Sequence, residues 1–281
     1  MMKTNAPKSA RAFTLPELLV VVAVLCVLAV VVTSGPIKKS RNLANRVKCQ
    51  GNQKCIGSAF RQFADSNGGR YPLEAMHRGT NSYIVPSGAS SSQVNATNAA
   101  AWQVAQAMWF ELQSPKVLLC PSDLARRPSI WVTDFAGLAG SEKGVPLSMT
   151  KTSLGHPDNQ DKALSYAFGV AAAESRPLGV LIVDRNVNNV GLAGASISSN
   201  VAFTRTRTVL QHRPGSTQAV WVTGTRIQDR EGNLSYADGS QNRVNAEGLR
   251  TSLANAMTSY GGMALGLSSG SITNQNEMLF P

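Results

Sequence analysis

The 281-residue chain has few charged residues and few histidines, and each shortage narrows the function classes. Charged residues make up only 15% of it, which fits a secreted or envelope protein better than a cytosolic enzyme. His77, His156 and His212 are far apart, and no residue pattern pairs any of them with a nucleophile and an orienting acid. The paired short spacings typical of zinc sites are also missing. The composition therefore does not favour an enzyme.

Acidic residues are nearly missing from the amino-terminal part, where Glu17 is the only one before Asp65. Glu17 lies inside an apolar run, Phe13 to Val32, that as a helix is about as long as the hydrocarbon core of a bilayer is thick, roughly 30 Å. A carboxylate at mid-membrane costs about 2.5 to 3.5 kcal/mol. We therefore expect Glu17 to have a cationic partner.

A cleavage between Ala12 and Phe13 would supply that partner. The leader, residues 1–12, is basic and has no acid, and the apolar run begins directly after it. Cleavage there frees an α-amino group about one helical turn from Glu17, where the two charges can neutralise each other, most usefully between neighbouring subunits. In the simpler alternative the run is a plain membrane anchor, and Glu17 reaches toward the lipid headgroups.

The segment Arg11-Ala-Phe-Thr-Leu-Pro-Glu-Leu-Leu19, with the Val/Ala/Leu run after it, resembles the cleavage and methylation segment of type IV prepilins and type II secretion pseudopilins. It departs from that family at Ala12, where the family nearly always has Gly. The resemblance implies that prepilin peptidase cuts after Ala12 and methylates Phe13. It also implies that Glu17 guides assembly with other pilin or pseudopilin subunits on an inner-membrane platform.

Three further segments are similar to parts of large pilin-like proteins that some environmental bacteria encode in many copies. They are Cys49–Pro72, Pro115–Asp123 and Gly232–Ser240. The resemblance implies an α+β, pilin-like fold, in which a long amino-terminal helix, transmembrane and then amphipathic, packs on a small antiparallel sheet.

The domain division expected from these patterns is a leader at residues 1–12, a transmembrane segment at 13–34, the amphipathic half of the long helix at 35–66, and a globular head at 67–281. Gly35-Pro36 should bend the helix, and Asn67-Gly-Gly should end it. Charge alone would place the head in the cytoplasm, because Lys and Arg are richer on the carboxy-terminal flank of the run. The resemblance instead implies a single-pass inner-membrane protein with a periplasmic or extracellular head, later assembled into a filament.

Apolar spacing predicts the remaining elements. A stripe at three- and four-residue intervals should seat the head on the long helix: Ile37, Leu43, Ala44, Val47, Ile56, Ala59, Phe60, Phe63 and Ala64. Two more helices are predicted, Asn98–Leu112 and Ala246–Ser259, followed by a loose Gly/Ser-rich tail. Predicted strands are Leu164–Val170, Leu178–Val183, Val209–Gln211, Gln218–Thr223 and Asn233–Ala237. No crossover helices separate these strands, which favours an antiparallel sheet.

Six cations without an intervening acid follow the apolar run: Lys38, Lys39, Arg41, Arg46, Lys48 and Lys54. We interpret them as a solvated helix face near anionic lipid, where each contributes about 1 kcal/mol. Nucleic acid is not favoured as a partner, because no aromatic residues alternate with these cations to stack on bases.

Four cysteines leave the disulfide state open. Cys26 lies in the apolar run and is interpreted as an apolar filler. Cys49 and Cys55 point in different directions on one helix, so they cannot easily bridge each other. In an exported head, Cys49 is the preferred disulfide partner of Cys120 and Cys55 the competing one, and free buried thiols remain an equal alternative.

Weaker patterns concern metal and catalysis. Asp229, Glu231, Asn233 and Asp238 form a low-ranking calcium candidate, against which a polar hairpin turn at Gly232-Asn233 is the simpler interpretation. Gly266-Leu-Ser268-Ser-Gly270 matches the nucleophile-elbow pattern but has no strand before it and no helix after it. Asp184-Arg-Asn186 fits either a salt-bridged turn or a packing motif.

The sequence thus predicts a filament subunit, with calcium as a weak candidate and no other cofactor. The competing class is a membrane-anchored surface binding module that does not polymerise, and a hydrolase using Ser268 is the third.

Overall fold

The computed structural model describes residues 13–33, 36–77, 99–123, 126, 132–135, 150–191, 207–210, 217–221, 231–259 and 277–280. It divides into two compact units, residues 1–44 and 45–281. The second unit, called the head below, contains both sheets and all of the buried core. Helix α2 (Pro36–Ser66) begins in the first unit and continues into the head.

Helix α1 (Leu15–Thr33) is apolar around its whole circumference. A helix with this pattern needs cover on every side, yet its large side chains are exposed, among them Leu18, Val21 and Leu25. Within the described residues no helix is both long and apolar enough to cross a membrane, so the predicted transmembrane segment at residues 13–34 is not confirmed.

Helix α2 buries one face in the head from Cys49 onward. The buried stripe consists of Cys49, Gln53, Ile56, Ala59, Phe60, Phe63 and Ala64. The prediction that Leu43, Ala44 and Val47 extend this stripe is wrong, because all three are exposed, Leu43 and Val47 to 60%. The side chain of Ile37 lies outside the described residues. The helix ends at Ser66, as predicted, and Gly68 and Gly69 then adopt positive φ angles of 67° and 75°.

Three short helices cover the same side of the head. Helix α3 (Pro72–His77) has Pro in the favoured first position of a helix. The single helix predicted at Asn98–Leu112 is two helices, α4 (Ala101–Ala107) and α5 (Trp109–Leu112). They separate at Met108, whose ψ of 26° does not continue an α-helix.

The main sheet has six strands, all paired antiparallel, in the order β4-β8-β1-β2-β6-β7. Its strands are β1 (Tyr166–Gly169), β2 (Val180–Asp184), β4 (Arg207–Val209), β6 (Glu231–Tyr236), β7 (Gln241–Asn245) and β8 (Glu277–Leu279). Strands β3 (Val187–Gly191) and β5 (Thr217–Trp221) form a separate antiparallel pair. The predicted α+β class with an antiparallel sheet is confirmed, although the sheet is larger than expected.

Hydrophobic residues pack on both faces of the main sheet. On one face Tyr166 and Phe168 of β1 pack in the same cluster as the buried stripe of α2. On the other face lies helix α6 (Ala246–Ser259), whose Leu249 and Leu253 are fully buried with Leu234 of β6. The alternation of side chains along each strand creates these two cores.

The end of the chain is part of the sheet. Strand β8 lies between β4 and β1, and Met278 and Phe280 are fully buried. The prediction of a loose tail is therefore wrong for residues 277–280. The hairpin turn proposed at Gly232-Asn233 is also wrong, since both residues lie inside β6. A side chain at Gly232 would collide with the ring of Trp221 from β5, which explains a glycine in mid-strand.

Candidate processing and assembly site

Glu17 makes one of the two bonds of a capping box at the amino terminus of α1, the bond from its side chain back to the residue before the helix. Thr14 directly precedes the helix, and its carbonyl accepts from Leu18 N at 3.2 Å. The Glu17 carboxylate accepts from the Thr14 backbone N–H at 3.0 Å and from the Thr14 hydroxyl at 2.9 Å. Both bonds reach the same oxygen, Oε2, and Glu17 is solvent-exposed. Glu17 therefore has a helix-capping role that the assembly hypothesis did not include.

The signal for this cap was in the sequence. Thr-x-x-Glu before an apolar run is the pattern of a capping box, and Thr14-Leu-Pro-Glu17 matches it. Pro16 fits the first turn because its missing N–H would have no partner within the helix. The cap holds the carboxylate within one turn of Phe13, whose side chain is exposed. Ala12, on the other side of the predicted cleavage, lies outside the described residues.

The cysteines of the head form one disulfide, between Cys49 of α2 and Cys120, with their Cα atoms 5.0 Å apart. Both sulfurs belong to buried residues, whereas Cys55 is exposed and unbridged. This is the pairing preferred from the sequence over Cys55 to Cys120. It attaches the long helix to the segment that follows the 3₁₀ helix Pro115–Leu118.

A buried polar cluster connects α2 to the main sheet. It consists of Gln53, Asp184, Asn233 and Ser235, all 2% exposed or less, and is called the Gln53 cluster below. Gln53 Nε2 donates to Asp184 Oδ1 at 2.9 Å, and Ser235 Oγ donates to Gln53 Oε1 at 3.0 Å. The Asn233 backbone N–H donates to Asp184 Oδ2 at 2.8 Å.

Arg185, beside this cluster, forms a bidentate ion pair with Asp123. Arg185 Nε and a terminal guanidinium nitrogen each donate to one carboxylate oxygen of Asp123 at 2.5 Å. Both side chains are almost completely buried. The segment Asp184-Arg-Asn186 therefore combines the two roles left open by the sequence, since Asp184 packs against α2 and Arg185 forms a salt bridge. The position of Gln53 was missed, because a single amide in an otherwise apolar stripe gives no pattern.

The three calcium candidates that the structure describes are not brought together. Glu231 pairs with Arg243 across the β6–β7 ladder, and Asn233 is buried in the Gln53 cluster. Asp238 lies in the β6–β7 turn, where its carboxylate accepts from Ser240 N at 2.7 Å. Asp229 is outside the described residues. In the part of the chain that is described, no three His, Cys, Asp or Glu side chains are grouped to hold a metal ion.

Of the residues considered for catalysis, only His77 and His156 lie in the described part of the chain. Ser268 and His212 lie outside the described residues. His77 ends α3, and His156 Nδ1 accepts from the backbone N–H of its neighbour Asp158 at 3.2 Å.

Comparison with known protein families identifies one segment. Residues 7–33 match the prokaryotic N-terminal methylation motif, the prepilin-type cleavage and methylation segment of type IV pilin-like proteins. No curated protein and no solved structure gives a significant match.

Proposed function

We propose that this chain, which carries a prepilin-type cleavage and methylation segment, is a structural subunit of a type IV pilus-like or type II secretion pseudopilus filament. Prepilin peptidase would cut between Ala12 and Phe13 and methylate the new terminus, and an inner-membrane platform would add the subunit to a polymer. The observation that carries this proposal is the motif at residues 7–33, because it covers the cleavage position, Glu17 and α1 together.

The surface of α1 supports a polymer. Exposed apolar residues occupy every side of this helix, and apolar area in contact with water costs about 25 cal/mol per Å². Packing against the equivalent helices of other subunits would remove that area from water. Before assembly, lipid of the inner membrane would cover it, with the head on the periplasmic or extracellular side.

The charge of Glu17 supports the same arrangement. A carboxylate enclosed by neighbouring apolar helices needs a counter-ion. The freed amine of Phe13 is a cation of the right sign, and the Thr14 cap engages only one carboxylate oxygen of Glu17. The other oxygen would accept the amine of a neighbouring subunit.

Replacement of Glu17 tests this proposal. In Glu17→Gln the side-chain carbonyl can still cap Thr14, but the charge is lost. Co-expressed with a prepilin peptidase and an assembly platform, the variant should be cleaved and yet form no filaments visible by electron microscopy. Asp158→Asn, which removes an exposed carboxylate of the head, is the matched control and should assemble normally.

Filaments of Glu17→Gln at the wild-type level would contradict the electrostatic part of the proposal. A wild-type chain that is cleaved and anchored but never polymerises would instead indicate a surface binding module.

A further inference from the structure

We propose that Asp184 binds a proton, and that this proton strengthens the attachment of α2 to the main sheet, so that the head holds its long helix more firmly in mild acid than in alkali. The inference concerns the head alone and does not depend on the proposed filament function.

The Gln53 cluster is the polar part of the interface between α2 and the sheet. Gln53 lies fully buried in the stripe of α2 and contacts β2 through Asp184 and β6 through Ser235. If α2 separates from the sheet, these bonds break and Asp184 becomes accessible to water. The protonation state of Asp184 is therefore linked to the docking of the helix.

Among the described residues, no free cation faces Asp184 to balance the negative charge of its ionised form. Arg185, the next residue, is engaged by both oxygens of Asp123, so this pair has no net charge. Tyr166 lies opposite Asp184 on β1, and burial raises its pKa well above its ordinary value, so it stays neutral. The other members of the cluster are Gln53 of α2 and Asn233 and Ser235 of β6, and none of them carries a charge.

A neutral Asp184 has a hydrogen-bond acceptor within the cluster. The side chain of Asn233 lies close enough to Asp184 to lower its pKa, and its Nδ2 and Oδ1 are both buried with no hydrogen-bond partner among the described residues. A protonated carboxyl could donate to that oxygen. Desolvation, with a smaller contribution from the charge of Asp123, raises the pKa of Asp184 to about 7. The hydrogen bonds from the Asn233 backbone, Gln53 and the Asn233 side chain only partly oppose this rise.

The direction of the pH effect follows from the two pKa values. The pKa of Asp184 is about 7 in the folded head, against an ordinary value of 3.8. The docked state therefore binds the proton more tightly than the open state. This stabilisation is complete below about pH 4 and is lost as the pH rises through 7, with the opening constant rising up to about tenfold per pH unit between them.

The buried disulfide provides the measurement, because Cys49 lies one turn before Gln53 on α2 and is fully buried. The full chain in detergent would be treated with a water-soluble phosphine reductant between pH 5 and pH 8, and the reduction rate divided by that of the same chain in denaturant. We expect this ratio to rise up to about 50-fold from pH 5 to pH 7 and by about another twofold before it levels off near pH 8. Asp184→Asn should remove the dependence, and Asp158→Asn should keep it.

A wild-type ratio that does not change with pH, or an unchanged slope in Asp184→Asn, would overturn the proposal. If Asp184→Asn does not fold, carbon NMR of the wild-type carboxyl groups replaces it, and an Asp184 signal that titrates below pH 5 is the contradicting result. Slower reduction at pH 8 on adding calcium or sodium would show that a cation, and not a proton, occupies the cluster.

Discussion

The first unit and the head differ in whether they bury their large apolar side chains. In α1 the large side chains are exposed around the whole helix, whereas the head covers its own in two cores, one on each face of the main sheet. Helix α2 carries both exposed and buried apolar side chains, since Val47 is exposed and Ile56 is fully buried. The head has the core of an independent folding unit, and α1 needs cover from outside its own surface.

The largest effect is expected from a charge placed in α1, which tests whether its exposed apolar surface needs cover. Val24→Glu should abolish polymerisation and membrane retention, because a charge at the centre of an apolar helix environment costs about 2.5 to 3.5 kcal/mol. Filament counts by electron microscopy and membrane fractionation are the measurements, and Val24→Leu is the control. The urea midpoint of the head should not move in either variant. A lower midpoint in Val24→Glu alone would mean that the head depends on α1 for its stability.

The buried ion pair should give the largest stability effect in the head. Asp123→Asn leaves the Arg185 guanidinium buried without its counter-ion, which should lower the free energy of unfolding by about 3 to 5 kcal/mol. The matched exposed pair is Glu231 with Arg243, where Glu231→Gln should cost about 0 to 1 kcal/mol. Chemical denaturation of the two variants checks this order, and equal losses would mean that the Arg185 pair is accessible to water.

Two positions on α2 test where the docked face begins. Ile56→Ala should lower the free energy of unfolding by about 2 to 5 kcal/mol, since it opens a cavity beneath the helix. Val47→Ala should change it by no more than about 0.5 kcal/mol, because the side chain is exposed. A comparable loss at Val47 would show that the predicted stripe does continue toward α1.

Two glycine substitutions should have smaller effects than Asp123→Asn or Ile56→Ala, and the two effects should be opposite in sign. Gly239 has a φ of +85° and lies against the guanidinium of Arg61, which donates to Asp238 O at 3.0 Å. Gly239→Ala should cost about 1 to 2 kcal/mol. Gly51→Ala, in open space on α2, should stabilise by about 0.5 to 1 kcal/mol. Thermal unfolding can resolve both, and stabilisation by Gly239→Ala would contradict the turn geometry.

Periodic apolar patterns predicted the helices well where the pattern was long. Helix α6 begins at Ala246 and ends at Ser259, as expected, and α2 ends at Ser66 before its two glycines. Strand β7 was missed because Gln241-Asn-Arg-Val-Asn245 is mostly polar and lies at the sheet edge. Strand β8 was missed because three residues after a polar tract give too little alternation to detect.

The Glu17 segment and the Gln53 cluster differ in how far apart their residues lie in the sequence. The segment around Glu17 is contiguous in sequence, so its pattern can be recognised directly. In the Gln53 cluster, Gln53 contacts residues 131 to 182 positions away through single contacts, which leave no periodic signal. Folding brings these residues together, and only the structure could reveal that Asp184 lies beneath α2.

Mass spectrometry of the mature amino terminus tests the central assignment most directly. The chain should be expressed with and without a prepilin peptidase and its first residue identified. We expect a chain that begins at methylated Phe13 only when the peptidase is present. An intact leader in the presence of the peptidase, or a terminus beyond Ser34, would contradict the assignment.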